Sequence, residues 1–204
     1  MNSSWRSYFS ERKNTNAFII TIASLALILF AFLHFLTYNE ARSGYHFNDP
    51  VLNLVAARDL SLVTFILTYG FAIAGLLIAL RDPAVLVKLF AAYAILTLLR
   101  ICTLYLLPLE PPAGILPLED VLLRFSFYSG RANLKDLFFS GHTATLFLFA
   151  FAFRKPALKI TFACAALLVG ILLMLQHVHY SIDVAVAPVA AWVAVRLARA
   201  LIPK

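Results

Sequence analysis

Charged residues are scarce in this sequence of 204 residues: they make up 13% of the chain, whereas 62% of its residues are hydrophobic. A soluble domain of this size could not bury so much apolar surface, so the composition excludes a water-soluble fold and indicates a protein surrounded by lipid. Cysteine is rarer still. Cys102 and Cys164 both fall in apolar segments, which argues against a disulfide framework or a cysteine metal pair.

The charge that is present is mainly positive, with 17 Lys and Arg against 10 Asp and Glu and a net charge of +7. These cations stand at the ends of apolar segments and not in one patch, so they indicate flanks of membrane helices and not binding of nucleic acid. The polar residues up to Asn16 lead into a long apolar run that has no small-residue cleavage site. This run is therefore expected to be a retained first helix and not a signal peptide.

The apolar segments predict an all-α fold, a bundle of six transmembrane helices in a single membrane domain over residues 1–204, because a spanning helix needs about 20 apolar residues. The predicted helices lie at about residues 17–38, 60–80, 84–107, 137–153, 157–176 and 181–202. Proline-marked charged turns at residues 81–83 and 154–156 predict two antiparallel hairpins. The long loops, 39–59 and 108–136, then lie on the same side of the membrane.

The distribution of cations predicts the orientation of the bundle. With the N-terminus inside, the larger share of Lys and Arg falls on inner segments, so both termini are expected in the cytoplasm and the long loops outside. Short termini suggest the bacterial inner membrane, with any site on the long loops facing the periplasm.

The strongest local signal is the stretch Phe139–Thr143, with the sequence FSGHT, at the outer start of the fourth predicted helix. Ser140 and Gly141 at a helix start leave backbone N–H groups free and allow an anionic oxygen to approach. His142 can exchange a proton near neutral pH. The alternative is an ordinary serine cap with an incidental histidine.

A second signal lies between the fifth and sixth predicted helices, in the stretch His177–Asp183. If this stretch is helical, His179 and Asp183 are four residues apart on one face. A carboxylate that holds one imidazole nitrogen makes the other a better nucleophile. The alternative is a polar interfacial cap. Six helices place this pair and His142 at the same membrane face, so we expect them to approach each other across the bundle.

Three further charged residues precede these motifs. Arg100 stands among apolar residues near the outer end of the third predicted helix, where its planar guanidinium could bind a phosphate or could snorkel to the interface. Lys135 and Asp136 could hold a headgroup or form a solvated ion pair with each other.

Zinc binding is a weaker alternative, since four potential ligands are present: His142, His177, His179 and Asp183. His177 and His179 would point to different sides of a helix, and no acidic cluster supports a second metal. The other interpretation of these residues is covalent chemistry, in which a histidine carries a phosphoryl group. It needs only a histidine nucleophile, a carboxylate and a second histidine, and all three are present.

Taken together, these motifs resemble the type 2 phosphatidic acid phosphatase (PAP2) superfamily, and more closely its sphingomyelin synthase branch. Residues 135–143 (KDLFFSGHT) and 177–184 (HVHYSIDV) are similar to the third and fourth motifs of that branch, and residues 100–114 are similar to its second. The superfamily's Ser-Arg pair ahead of the last histidine is replaced by Leu172 and Leu173, which favours the synthase branch over an ordinary phosphatase.

The resemblance implies a lipid phosphotransferase that needs no metal or organic cofactor. His179, oriented by Asp183, would attack the phosphorus of a glycerophospholipid donor, and His142 would act as general acid and then base. Arg100 would clamp the phosphate. The resemblance also implies phosphate or headgroup contacts for Ser140, Gly141, Lys135, Asp136 and Tyr180. The acceptor would be a lipid hydroxyl, as in ceramide or diacylglycerol. Hydrolysis at the same site is the alternative, and a non-enzymatic lipid-binding or transport protein is a more distant one.

Overall fold

The protein is described by a computed structural model over residues 5–118 and 133–202. Within these ranges the chain forms helices and no β-strand. The part of the chain that the structure describes contains seven α-helices: α1 Trp5–Phe9, α2 Arg12–Glu40, α3 Ser61–Ala79, α4 Pro83–Leu106, α5 Gly141–Ala152, α6 Pro156–Leu175 and α7 Ser181–Leu201. A 3₁₀ turn, Leu52–Leu54, lies in the first long loop.

Five of these helices, α2, α3, α4, α6 and α7, are long and apolar enough to cross a membrane. The fold prediction is therefore confirmed: the chain is an all-α, multi-pass membrane protein. The short helix α1 was not predicted. It packs against α2. Its Trp5 also donates the indole N–H to the backbone oxygen of Leu80, the residue after α3, at 3.0 Å.

The fourth predicted helix is shorter than expected, because α5 begins at Gly141 and not near residue 137. Its 12 residues cover only about 18 Å of a hydrocarbon core that is roughly 30 Å thick. Backbone groups ahead of Gly141 are bonded to side chains instead of to a helical turn. Thr103 donates to the oxygen of Phe138 at 2.8 Å, and Asn39 donates to the oxygen of Lys135 at 2.9 Å.

Helix α5 occupies the centre of the bundle and packs against α3, α4, α6 and α7, whereas α2 packs against α4 and α1. The non-helical segment before α5 is also covered by protein, with Leu137, Phe139 and Ser140 each at most 1% exposed. Irregular backbone at membrane depth is tolerated only where protein or a cavity surrounds it. This central position allows a short helix to carry the FSGHT motif into the interior of the bundle.

Candidate active site

His179 and Asp183 form the contact that the sequence predicts. The Nδ1 atom of His179 lies 3.2 Å from Oδ2 of Asp183. The histidine is 3% exposed and the aspartate is completely buried. Among the described residues, none forms a hydrogen bond with Nε2 of His179, so this nitrogen is available to a ligand.

The route to this contact differs from the prediction, because His179 is not helical. Helix α7 begins at Ser181, and Tyr180 is its N-cap residue. Asp183 occupies the third helical position and accepts the backbone N–H of Tyr180 at 3.0 Å through the same Oδ2 atom. The carboxylate therefore caps the helix and holds the imidazole of the residue before the cap at the same time.

The start of α5 is hydrogen-bonded directly to the start of α7. The backbone N–H of Ser140 donates to the backbone oxygen of Asp183 at 3.2 Å. The Ser140 hydroxyl caps α5 by accepting the N–H of Thr143 at 3.4 Å, and it donates to the Thr143 hydroxyl at 3.0 Å. His142 is half-buried in the first turn of α5. The two motifs are thus brought to one end of the bundle, as expected from the helix count.

Arg100 points into this cluster and does not snorkel outward. It is 6% exposed, its Nη1 donates to the backbone oxygen of Phe139 at 3.0 Å, and its Nη2 is paired with Asp136. A guanidinium has five N–H donors, so these contacts leave donors for an oxyanion. The aromatic rings of Phe32 and Phe139 also face its Cζ, at 5.6 and 5.8 Å.

Gly141 allows Arg100 to approach the first turn of α5. A Cβ atom at position 141 would stand 2.0 Å from Nη1 and 2.6 Å from Cζ of Arg100. Only a glycine can therefore stand at this position with the arginine where it is. The arginine fork and the N-terminus of α5, where partial positive charge accumulates, consequently face the same volume.

Lys135 and Asp136 do not pair with each other. Asp136 pairs with Arg100, as above, whereas the ammonium of Lys135 contacts Oε1 of Glu110 at 3.0 Å and the backbone oxygen of Arg42 at 2.7 Å. Glu110 also accepts the backbone N–H of Gly44 at 2.7 Å. Lys135 therefore joins the two long loops, and its expected headgroup contact stays a prediction.

Tyr180 is also committed to the loops. Its hydroxyl donates to the backbone oxygen of Glu110 at 2.9 Å, and its ring meets that of Phe47 edge to face at 5.3 Å. Only 2% of the residue is exposed. Its expected contact with the headgroup likewise stays a prediction.

Asp49 supports the site, although sequence reasoning gave it no role. Its carboxylate accepts the backbone N–H of Ser181 at 2.6 Å and the Ser181 hydroxyl at 3.1 Å. Burial alone would raise the pKa of Asp49, but the hydrogen bonds from Ser181 and Val51 outweigh it and lower that pKa. The first long loop thus holds the N-terminus of α7 beside the His179–Asp183 pair. An aspartate before a proline in a loop was the only signal.

Gln176 and His177 form a second link between the loops and the helices. The Gln176 amide donates to the Ser61 hydroxyl at 2.7 Å and to the oxygen of Leu116 at 3.1 Å. The two ring nitrogens of His177, a residue with φ of 57°, lie 3.0 and 3.1 Å from the backbone oxygens of Ala113 and Val55. We call Gln176 and His177 together the loop hub.

The position of His177 removes one member of the alternative zinc set, since both of its ring nitrogens face loop carbonyls. In the part of the chain that the structure describes, no three His, Cys, Asp or Glu side chains are grouped to hold a metal ion.

The Glu110–Lys135 pair predicts a dependence of stability on acid. The Gly44 N–H and the Lys135 ammonium lower the pKa of Glu110 below its ordinary value of 4.5. Stabilisation by this group is therefore complete above about pH 4.5 and is lost as the pH falls through the lower folded-state value. Glu110→Gln should lower the melting temperature at pH 7 and flatten its decline below pH 5, as measured by thermal unfolding in detergent.

The control is Glu11→Gln, which removes one carboxylate from the opposite end of the bundle. An unchanged acid profile in Glu110→Gln, or the same flattening in Glu11→Gln, would contradict the role given to the pair.

Comparison with known proteins points to one superfamily. The sequence model of the PAP2 superfamily C-terminal family matches residues 135–199, the segment that contains both histidine motifs. The match supports the PAP2 superfamily, whose members are phosphatases and phosphotransferases, and does not extend to the sphingomyelin synthase branch. No curated protein and no solved structure matches the chain.

Proposed function

We propose that this membrane protein transfers a phospho-headgroup from a glycerophospholipid to a lipid hydroxyl through a phosphohistidine on His179. The observation that carries the proposal is the buried His179–Asp183 pair, whose free Nε2 lies at the same end of the bundle as Arg100 and the N-terminus of α5. Asp183 holds the Nδ1 proton, so the lone pair of the neutral ring lies on Nε2.

In the first step, Nε2 of His179 attacks phosphorus as the bond to the glycerol oxygen breaks. His142 gives a proton to the departing diacylglycerol oxygen, and Asp183 stabilises the positive charge that the phosphorylated ring gains. In the second step, His142 takes the proton of the acceptor hydroxyl, whose oxygen attacks phosphorus and releases His179. The charge on the phosphoryl oxygens is met by the remaining donors of Arg100 and by the start of α5.

Burial of the nucleophile favours transfer to a lipid over transfer to water. His179 is 3% exposed and Asp183 is completely buried, although both lie at a helix end next to the long loops. A phosphoenzyme on a side chain so well covered is protected from hydrolysis until an acceptor enters. The shortness of α5 supports the same conclusion, because a helix of 12 residues does not reach across the hydrocarbon core and a site at its start would lie at the depth of lipid hydroxyls.

The test uses purified full-length protein in mixed micelles with a phospholipid labelled in its headgroup. With ceramide or diacylglycerol as acceptor, we expect label to appear in a new lipid. Without acceptor, we expect label on the protein that withstands alkali and is lost in acid, as a phosphoramidate is. Labelled water-soluble headgroup as the main product in both cases would select hydrolysis. Label on the protein in His179→Ala would overturn the assignment of the nucleophile.

A further inference from the structure

A large cavity lies at the end of the bundle opposite the candidate active site. Its volume is about 970 Å³. It is lined by α1, by the starts of α2, α4 and α6, and by the ends of α5 and α7. Along α7, Asp183 and Arg199 in the cavity wall are sixteen positions apart, which corresponds to about 24 Å. The cavity is therefore separate from the site of phosphoryl transfer.

The walls of this cavity are strongly cationic. Its lining includes two carboxylates, Glu11 and Asp82, against five cations: Lys88, Arg154, Lys155, Lys159 and Arg199. Arg199 is engaged with the end of α5, donating to the backbone oxygen of Phe151 at 2.6 Å. Arg154, Lys155 and Lys159 are exposed and form no ion pair with any residue in the ranges 5–118 and 133–202.

An apolar groove adjoins the cavity. It has a volume of about 820 Å³ and lies between α2 and α4, with Ile28, Ile95 and Leu98 among its lining residues. Ile202 lines both the cavity and the groove, so the two lie next to each other at the end of α7. A cationic cavity beside an apolar groove matches the two parts of an amphiphile: an anionic head and a hydrocarbon chain.

We propose that this end of the bundle binds one anionic phospholipid of the adjacent leaflet. The phosphate occupies the cavity beside Arg154, Lys155 and Lys159, and one acyl chain lies in the groove between α2 and α4. A free anion would use only the cavity, whereas a zwitterionic lipid would bring its own ammonium group into an already cationic chamber. The combination of excess positive charge and a neighbouring apolar groove selects an anionic lipid.

The first experiment measures lipid binding to the full chain by native mass spectrometry, in the His179→Ala background so that the lipid is not consumed. Phosphatidylglycerol and phosphatidylcholine with identical acyl chains are the probes. Arg154→Gln/Lys155→Gln/Lys159→Gln should weaken phosphatidylglycerol binding about a hundredfold, since each cation near a membrane surface changes affinity several-fold. Phosphatidylcholine binding should change little.

The matched control is Arg6→Gln/Arg81→Gln/Arg196→Gln, which removes the same charge from the same end of the bundle. These three arginines are exposed and lie outside the cavity lining. The control should keep its preference for phosphatidylglycerol. An equal loss in both triple variants would reduce the effect to general surface charge and overturn the proposed site.

The second experiment tests the groove. Ser24 is exposed on α2 and lines the groove, so Ser24→Phe fills it without disturbing the core. We expect phosphatidylglycerol to bind at least tenfold more weakly in this variant and normally in Ala26→Phe, which adds the same ring outside the groove lining.

Glycerol 3-phosphate distinguishes a lipid from a soluble anion. Displacement of the lipid by millimolar glycerol phosphate, together with no effect of Ser24→Phe, would show that the cavity binds a soluble phosphate and would overturn the lipid proposal. Thermal unfolding confirms that each variant is folded before its binding is compared.

Discussion

Replacing His179 with Ala is expected to abolish turnover of labelled phospholipid, and replacing Asp183 with Asn should lower kcat on the order of 10⁴-fold, on the scale known for hydrolytic triads. The nucleophile has no substitute, since no other described side chain contacts Oδ2 of Asp183. Initial rates of headgroup release and transfer measure both effects.

Asp183→Asn separates the charge of this residue from its role as a helix cap. An amide oxygen in the place of Oδ2 can still accept the backbone N–H of Tyr180 and the ring N–H of His179. The variant should therefore stay folded, while the imidazolium formed during transfer loses its counter-charge. The control is Asp59→Asn, because Asp59 accepts the N–H of Ser61, the first residue of α3, at 3.0 Å but is not part of the site.

Near-normal turnover in Asp183→Asn would show that the carboxylate is only a cap. Full activity in His179→Ala would remove the nucleophile assignment altogether.

Gly141→Ala is expected to lower kcat/KM by about 10²- to 10³-fold while leaving the protein folded. The new methyl group would overlap the guanidinium of Arg100, 2.0 Å from Nη1. The guanidinium cannot turn away without losing its contacts with Phe139 and Asp136, so it must move off the start of α5. Loss of one positioned charge donor to a transition state has an effect of this size.

A glycine elsewhere in the bundle provides the matched control. A Cβ atom at Gly70, within α3, would meet nothing within 4 Å. Gly70→Ala should therefore keep full activity and gain up to about 1 kcal/mol of stability from helix propensity.

A double-mutant cycle tests whether the alanine acts through the arginine. If it does, Arg100→Lys and the Arg100→Lys/Gly141→Ala double variant should have similar kcat/KM values. Additive losses, or wild-type kcat/KM in Gly141→Ala, would contradict the proposed coupling.

The fold and the pairing at the site were predictable because both depend on local patterns. Apolar length predicted the membrane helices, and the four-residue spacing of His179 and Asp183 predicted their contact. The contact nevertheless arises from a helix cap and not from a helical turn, a distinction that spacing alone does not make. For Arg100 the residues alone left a phosphate contact and a snorkelling side chain open, and only the resemblance implied a clamp. Its burial in an apolar segment is consistent with the need of such a charge for a partner.

The predictions were less accurate where long-range hydrogen bonds determine the conformation of the backbone. Leu137 to Ser140 continue an apolar run, so hydropathy extended the fourth helix through them. The carbonyls of Phe138 and Phe139 are instead bonded by Thr103 and Arg100 of α4. Likewise, the pairing of Lys135 with Glu110 joins residues 25 positions apart in the sequence, for which periodicity gives no signal.

The loop hub also has a consequence for the order in which the chain is made. Its contacts join residues 60 to 122 positions apart, so Val55, Ser61 and Ala113 reach the translocon long before their partner residues, Gln176 and His177, are synthesised. The long loops can therefore take up their final arrangement only after α6 has been inserted. The supports of the nucleophile then form with α7 itself, so a ribosome-bound chain that ends before Ser181 should have most of its helices and no catalytic centre.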